Sequence, residues 1–160
     1  KQKTAYEIGV RLVGSEMCIR DSSGMTTVIA EGITNWPAEN TQLIGSTCAD
    51  CGAVVFPVQQ YCPKCSGPNL SETLLPRTGT LVAWTSQNFY PGPGYATTPA
   101  DFVPFNMALV QLDDVVRVEG RLTETDISKI EWGMKLELTM VPIATGDDGE
   151  PLLTFAFAPA

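Results

Sequence analysis

Five cysteines and no histidine set the chemistry open to this 160-residue chain. Four of the cysteines form two Cys-x-x-Cys pairs, Cys48-Ala-Asp-Cys51 and Cys62-Pro-Lys-Cys65, separated by ten residues. A two-residue gap folded into a tight turn lets both sulfurs of a pair reach one ion at ~2.3 Å, and a second such turn completes a tetrahedron. Zinc is the natural occupant of such a site. Because four thiolates fill its coordination sphere, no position is left for water or substrate, so the expected role is structural, with one ion per chain. Gly52 follows the first pair and Ser66-Gly67 the second. Glycine in that place tolerates positive φ and helps backbone amides face the sulfurs. Redox dithiols or buried free thiols are the competing readings. A thioredoxin-type motif, however, needs a single Cys-x-x-Cys opening a helix in a βαβ pattern, and the sequence has none.

Nothing else in the chain forms a catalytic constellation. Without histidine there is no serine-histidine or cysteine-histidine dyad and no imidazole base or ligand. No glycine-rich phosphate loop and no Gly-x-Ser-x-Gly elbow occurs. Asp113-Asp114 and Asp147-Asp148-Gly149 read as turn formers, and the latter lacks the dozen-residue loop of oxygen ligands that calcium takes. The chain is therefore expected not to be an enzyme. Ten basic against eighteen acidic residues give a net charge of −8. That is the wrong sign for neutralising phosphates, so nucleic acid is not an expected partner. Single-stranded nucleic-acid binding is the alternative function for a zinc ribbon joined to an aromatic-rich barrel. Against it, six basic residues spread from Lys64 to Lys135 do not make a positive groove. No apolar run approaches the ~20 residues that span a bilayer. Glu7, Arg11 and Glu16 interrupt any secretory core, and the cysteine usage suits a reducing compartment, so the expected location is the cytoplasm, away from membranes.

Several elements must position these cysteines. Residues 1–24 lack helical or alternating periodicity and resemble translated sequencing-adapter read-through, so the natural chain is expected to begin at Met25, which would exclude Cys18; a natural tail is the alternative. Residues 25–45 form a polar arm with about one helical turn, anchored by Trp36 and Pro37. Residues 46–73 form the cysteine-bearing ribbon, and residues 74–160 a unit of short alternating strands. The strand candidates are 80–88, 105–112, 115–122, 135–141 and 152–157. Val116, Val118 and Leu122 alternate with Arg117, Glu119 and Arg121, and Leu136, Leu138 and Met140 with Lys135, Glu137 and Thr139, the pattern of half-buried strands. Residues 123–134 form a turn or two of helix ended by Gly133. Five strands with their only helical insertion between the third and fourth are the order of an OB-fold, a small partly open barrel. The expected class is mainly β, a zinc ribbon followed by a five-stranded OB-fold.

Two loops could carry recognition. Residues 89–104, with four prolines and the aromatics Phe89, Tyr90, Tyr95 and Phe102, join the first two strands, and residues 143–151 join the last two. In OB-folds these connections flank the usual ligand face. Trp84, Phe89, Tyr90, Tyr95 and Phe102 are the candidate ligand or partner surface; the other reading is that these rings pack over the barrel mouth.

The run LIGSTCADCGAVVFPVQQYCPKCSG, followed by GTLVAWT, PFNMALVQLD and WGMKLEL, resembles the acyl-CoA-associated family known as domain of unknown function thirty-five. That family joins a rubredoxin-like zinc ribbon to a carboxy-terminal OB-fold. The likeness extends from about Asn35 to Phe157 and includes the Phe56-Pro57 step between the cysteine pairs and the Gly133-Met134 turn. Ser66 stands where the second knuckle often has glycine, and the loop from Phe89 is rich in proline and glycine, so loop-borne specificity does not transfer. The resemblance implies zinc on Cys48, Cys51, Cys62 and Cys65 and assigns no catalytic residue. It also implies a non-catalytic subunit in a hetero-oligomer with a thiolase-like enzyme, an acyl-CoA synthase, an aldolase or a hydratase of lipid metabolism, its OB-fold helping to receive or pass on an acyl-CoA thioester.

Overall fold

A computed structural model describes residues 27–160; the expected amino-terminal tail and Cys18 lie outside the described residues. Nine strands follow one another: β1 (Thr27–Val28), β2 (Ile44–Cys48), β3 (Val54–Val55), β4 (Leu70–Leu74), β5 (Thr78–Gln87), β6 (Phe105–Leu112), β7 (Val116–Leu122), β8 (Lys135–Thr145) and β9 (Pro151–Pro159). The one helical element among the described residues is a 3-10 turn, Ile127–Lys129, between β7 and β8. Strands β3-β2-β4 make a small antiparallel sheet. The other six run in the order β1-β9-β7-β6-β5-β8, and β8 also pairs with β9. That last pairing closes β5 to β9 into a five-stranded barrel, with β7 parallel to β9. The OB-fold expected from strand order is present, fully closed where a partly open barrel was expected.

Alternation explains the barrel. On β7, Val118, Gly120 and Leu122 are buried while Arg117 and Glu119 are exposed, so one face meets the core and the other meets solvent. β6 is apolar on both faces, yet Asn106, Ala108, Val110 and Leu112 are buried and the alternate residues are half-buried. Its outward face therefore carries the apolar side chains Phe105, Met107 and Leu109. Six strand bounds differ from the sequence expectation, among them the end of β5 at Gln87 and the start of β7 at Val116. β5 begins at Thr78, β8 continues to Thr145 and β9 spans Pro151–Pro159. β8 passes Pro142 through a register shift between Pro142 and Ala144, the irregularity by which a strand accommodates a residue without an N–H.

Among its described residues the arm carries no helical turn. Instead Thr27 and Val28 pair in parallel with Leu152 and Leu153, and Thr34 bridges Leu43. A two-residue strand owes its existence to its partner and leaves no periodicity to read. Leu43, just before β2, and Leu75, just after β4, belong to the same buried cluster as Leu81, Val110, Leu136 and Phe157 of the barrel. The Leu75 N–H donates to the Leu43 carbonyl at 2.9 Å, tying the two ends of the small sheet together. Above this root, the edge of Phe56 meets Phe155 at 6.0 Å between centroids, and Phe155 meets Phe157 at 6.2 Å. Fully buried Leu43, Leu75 and Phe157 each contribute about 1.5–3 kcal/mol and the partly buried Phe56 and Phe155 add to them, so the ribbon is moored to the barrel by apolar packing.

Candidate metal centre and partner surface

The β2–β3 turn carries Cys48 and Cys51, and the segment between β3 and β4 carries Cys62 and Cys65. Each turn is closed by backbone bonds: the Gly52 N–H donates to the Cys48 carbonyl at 2.9 Å, and the Ser66 N–H to the Cys62 carbonyl at 2.8 Å. The residue after each pair takes the left-handed conformation, Gly52 at φ 69° and Ser66 at φ 62°. In the second knuckle it is thus Ser66, not Gly67, that supplies the positive φ. Gly67 serves a different need, because a Cβ there would collide with the Asp50 carboxylate and sit 3.3 Å from Cys65 Sγ. The amide of Asn69 donates to Asp50 Oδ1 at 2.9 Å, latching one knuckle to the other.

The sulfurs of Cys48, Cys51, Cys62 and Cys65 lie within 4.8 Å of one another. The Cys48–Cys65 and Cys51–Cys62 separations are both 3.6 Å. A disulfide would require about 2.05 Å. A tetrahedron with ~2.3 Å zinc–sulfur bonds has edges of about 3.8 Å, so the donor set fits one zinc ion. Electrostatics within the cluster split the thiols. The Cys65 backbone amide, helped by Lys64 and the adjoining thiols, draws Cys62 down to about 7 against the effect of burial. The Gly67 amide pulls Cys65 downward, but Cys51, burial, Cys48 and Cys62 together push it up to about 12. Four sulfurs this close can all be thiolates only around a cation.

The candidate surface residues separate into three groups. Tyr90, Tyr95 and Phe102 pack edge-on against one another at 6.2–6.3 Å. Phe105 joins them, stacked on Tyr95 at 6.1 Å and edge-on to Phe102, and the Arg121 guanidinium lies 4.0 Å from the Phe105 centroid. Trp84 is elsewhere: it pairs with inward-facing Ala108 and packs against the core. Phe89 joins neither group and is 72% exposed. The loop after β5 reaches the end of β8, since Tyr95, Thr97, Thr98 and Asp101 share a cleft of about 490 Å³ with Ala144 and Thr145. Sequence reading passed over Phe105, Arg121, Val103 and Ile127. Phe105 and Arg121 were open to detection, because alternation from Asn106 and Leu122 places both on the outward face.

Among the described residues no helix is long and apolar enough to cross a membrane. Residues 36–71 match the family described as "ChsH2, rubredoxin-like zinc ribbon domain", and residues 72–141 match "ChsH2, C-terminal OB-fold domain". A "DUF35 domain-containing scaffold protein" of Pyrococcus furiosus is 31% identical over 122 residues, covering 76% of this chain and 85% of that protein. The "Benzoylsuccinyl-CoA thiolase subunit BbsA" of Thauera aromatica is 29% identical over 115 residues, covering 72% and 74%. A solved chain of the "Ltp2-ChsH2(DUF35) aldolase" superposes with a TM-score of 0.56 at 24% identity, over 74% of this chain and 84% of that one, a likeness of fold. With its four-cysteine ribbon, its closed five-stranded barrel and these relatives, the chain belongs to the DUF35 family, in which a rubredoxin-like zinc ribbon precedes an OB-fold domain.

Proposed function

We propose that this chain is a non-catalytic subunit of an acyl-CoA-processing enzyme complex, with a thiolase-like enzyme as the partner that its relatives favour most. The carrying observation is the likeness to a thiolase subunit and to scaffold proteins, together with a site whose four thiolates are all committed to structure. In this reading Cys48, Cys51, Cys62 and Cys65 are the ligands of one zinc ion, and the ion shapes residues 46–73. The barrel, residues 74–160, presents the recognition surface on the loop that holds Phe89, Tyr90, Tyr95 and Phe102. Trp84, packed against the barrel core, is left out of that surface. The acyl-CoA thioester belongs to the complex as a whole, and the cytoplasm, where thiolates stay reduced, is where it works.

Co-expression with a thiolase-like enzyme, followed by size-exclusion chromatography with light scattering, tests the proposal. The expected result is a mixed complex whose thiolase activity needs both chains, with no turnover by this chain alone. Separate elution at micromolar concentration with unchanged enzyme activity would contradict it. Tight, salt-sensitive binding of a single-stranded oligonucleotide would favour the nucleic-acid alternative instead.

A further inference from the structure

We infer that Phe89, Val103 and Ile127 form the rim on which the chain seats its partner enzyme, and that the matching surface of the enzyme is an apolar hollow bordered by lysine and arginine. The inference rests on the proposed role as an enzyme subunit and adds the place of contact and the chemistry of the partner. Phe89 and Val103 are each 72% exposed and Ile127 is 60% exposed. Single exposed apolar residues need no explanation. Phe89 and Val103 are the chain neighbours of Asn88 and Pro104, which line one groove of about 140 Å³ with Ile127.

The rim is held in shape before any partner arrives. The Gln87 amide donates to the Phe89 carbonyl at 2.6 Å. The Asn106 amide donates to the Glu124 carbonyl at 2.9 Å, fixing the start of the segment that bears Ile127. Asp126 Oδ1 accepts from the Ser128 N–H and hydroxyl at 3.0 and 2.7 Å. Behind the loop, the knot of Tyr90, Tyr95 and Phe102 seated on Phe105 limits its freedom. A preordered apolar centre loses little entropy on binding, which is the property of an anchoring contact.

Charge selects the occupant. The segments that bear Val103 and Ile127 also carry Asp101, Glu124 and Asp126. Their cations are engaged: Arg121 lies over Phe105, and Lys129 Nζ is 3.8 Å from Asp126. A second copy of this chain would bring the same acidic border against itself, and a nucleic acid would bring phosphates. Either is repelled, whereas a basic border on the enzyme is attracted and steered into register.

The test uses the full chain with the co-expressed thiolase-like enzyme. A photo-crosslinking benzoylphenylalanine is placed at Phe89, Val103 or Ile127. As controls it is placed at Tyr61 on the ribbon or Val115 at the opposite end of the barrel, both also exposed. Crosslinks to the enzyme are expected from the three rim positions and not from the controls. The combined variant Phe89→Ser, Val103→Ser, Ile127→Ser is expected to weaken the complex on the order of 100-fold with an unchanged melting temperature. Raising salt from about 50 to about 500 mM is expected to weaken it about tenfold. A stable complex that crosslinks only from Tyr61 or Val115, that crosslinks this chain to itself at the rim, or that tolerates the triple variant would overturn the rim while leaving the subunit role intact. If the unmodified chain forms no complex at all, the subunit role falls and the rim falls with it.

Discussion

The ribbon and the barrel are built from the same strand geometry but hold together by different means. Between residues 46 and 73 the buried side chains are Ser46, Cys48 and Cys62, so two of the three are sulfurs of the metal site. The barrel buries a leucine-rich cluster that includes Leu81, Val110, Leu112, Leu136 and Phe157. One region therefore depends on a coordination bond set and the other on apolar area. Small units without a core of their own need a staple, and here the staple is ionic and covalent in character.

The largest expected effect comes from attacking the staple. Zinc removal by a chelator, or Cys62→Ser, should remove folding energy on the order of 10 kcal/mol from the ribbon. Amide exchange in residues 46–73 should then become rapid while the amides of β6 and β7 stay protected. Loss of protection in both regions together would erase the distinction.

The converse experiment is Phe157→Ala. This fully buried ring should cost about 3–5 kcal/mol, read as a lower melting temperature of the barrel, with zinc content unchanged. Next comes Gly120→Ala. A Cβ on Gly120 would meet the rings of Phe155 and Phe157 at 2.8 and 2.9 Å, and overpacking of that kind costs about 1–3 kcal/mol. Because Phe155 also bears on Phe56, this variant should loosen the mooring of the ribbon, seen as broadened Phe56 resonances with the metal still bound.

The smallest effect is at Asp126. Its carboxyl is held below the usual carboxylate range by the Ser128 hydroxyl and then by the Ser128 N–H. A lowered folded-state pKa means that the stabilisation is present above the ordinary value and fades as pH falls through the lowered one. Protection of the Ser128 amide should weaken below about pH 4, and Asp126→Asn should abolish that pH dependence without moving the zinc site or the barrel.

The same comparison explains what the sequence made legible. Paired cysteines announce the metal site because coordination demands short, fixed spacings, and the barrel strands β7 and β8 announce themselves by alternation. β1 and β3 are two residues each and exist through their partners, so nothing local marks them. The place of Leu43 and Leu75 in the barrel core was equally hidden, since both lie at the edges of the cysteine unit. In the loop, composition indicated aromatic surface but could not sort it. Packing alone shows that Tyr90, Tyr95 and Phe102 form a knot, that Trp84 turns inward, and that Phe89 stays in solvent.

The claim beneath all of this is that one zinc ion replaces a hydrophobic core in the ribbon. Sulfur-edge and zinc-edge X-ray absorption on the purified full chain, with metal content measured on the same sample, tests it most directly. The account predicts one zinc per chain with four sulfur neighbours at ~2.3 Å. A metal-free chain whose ribbon amides are still protected, or a zinc with oxygen or nitrogen among its ligands, would contradict it.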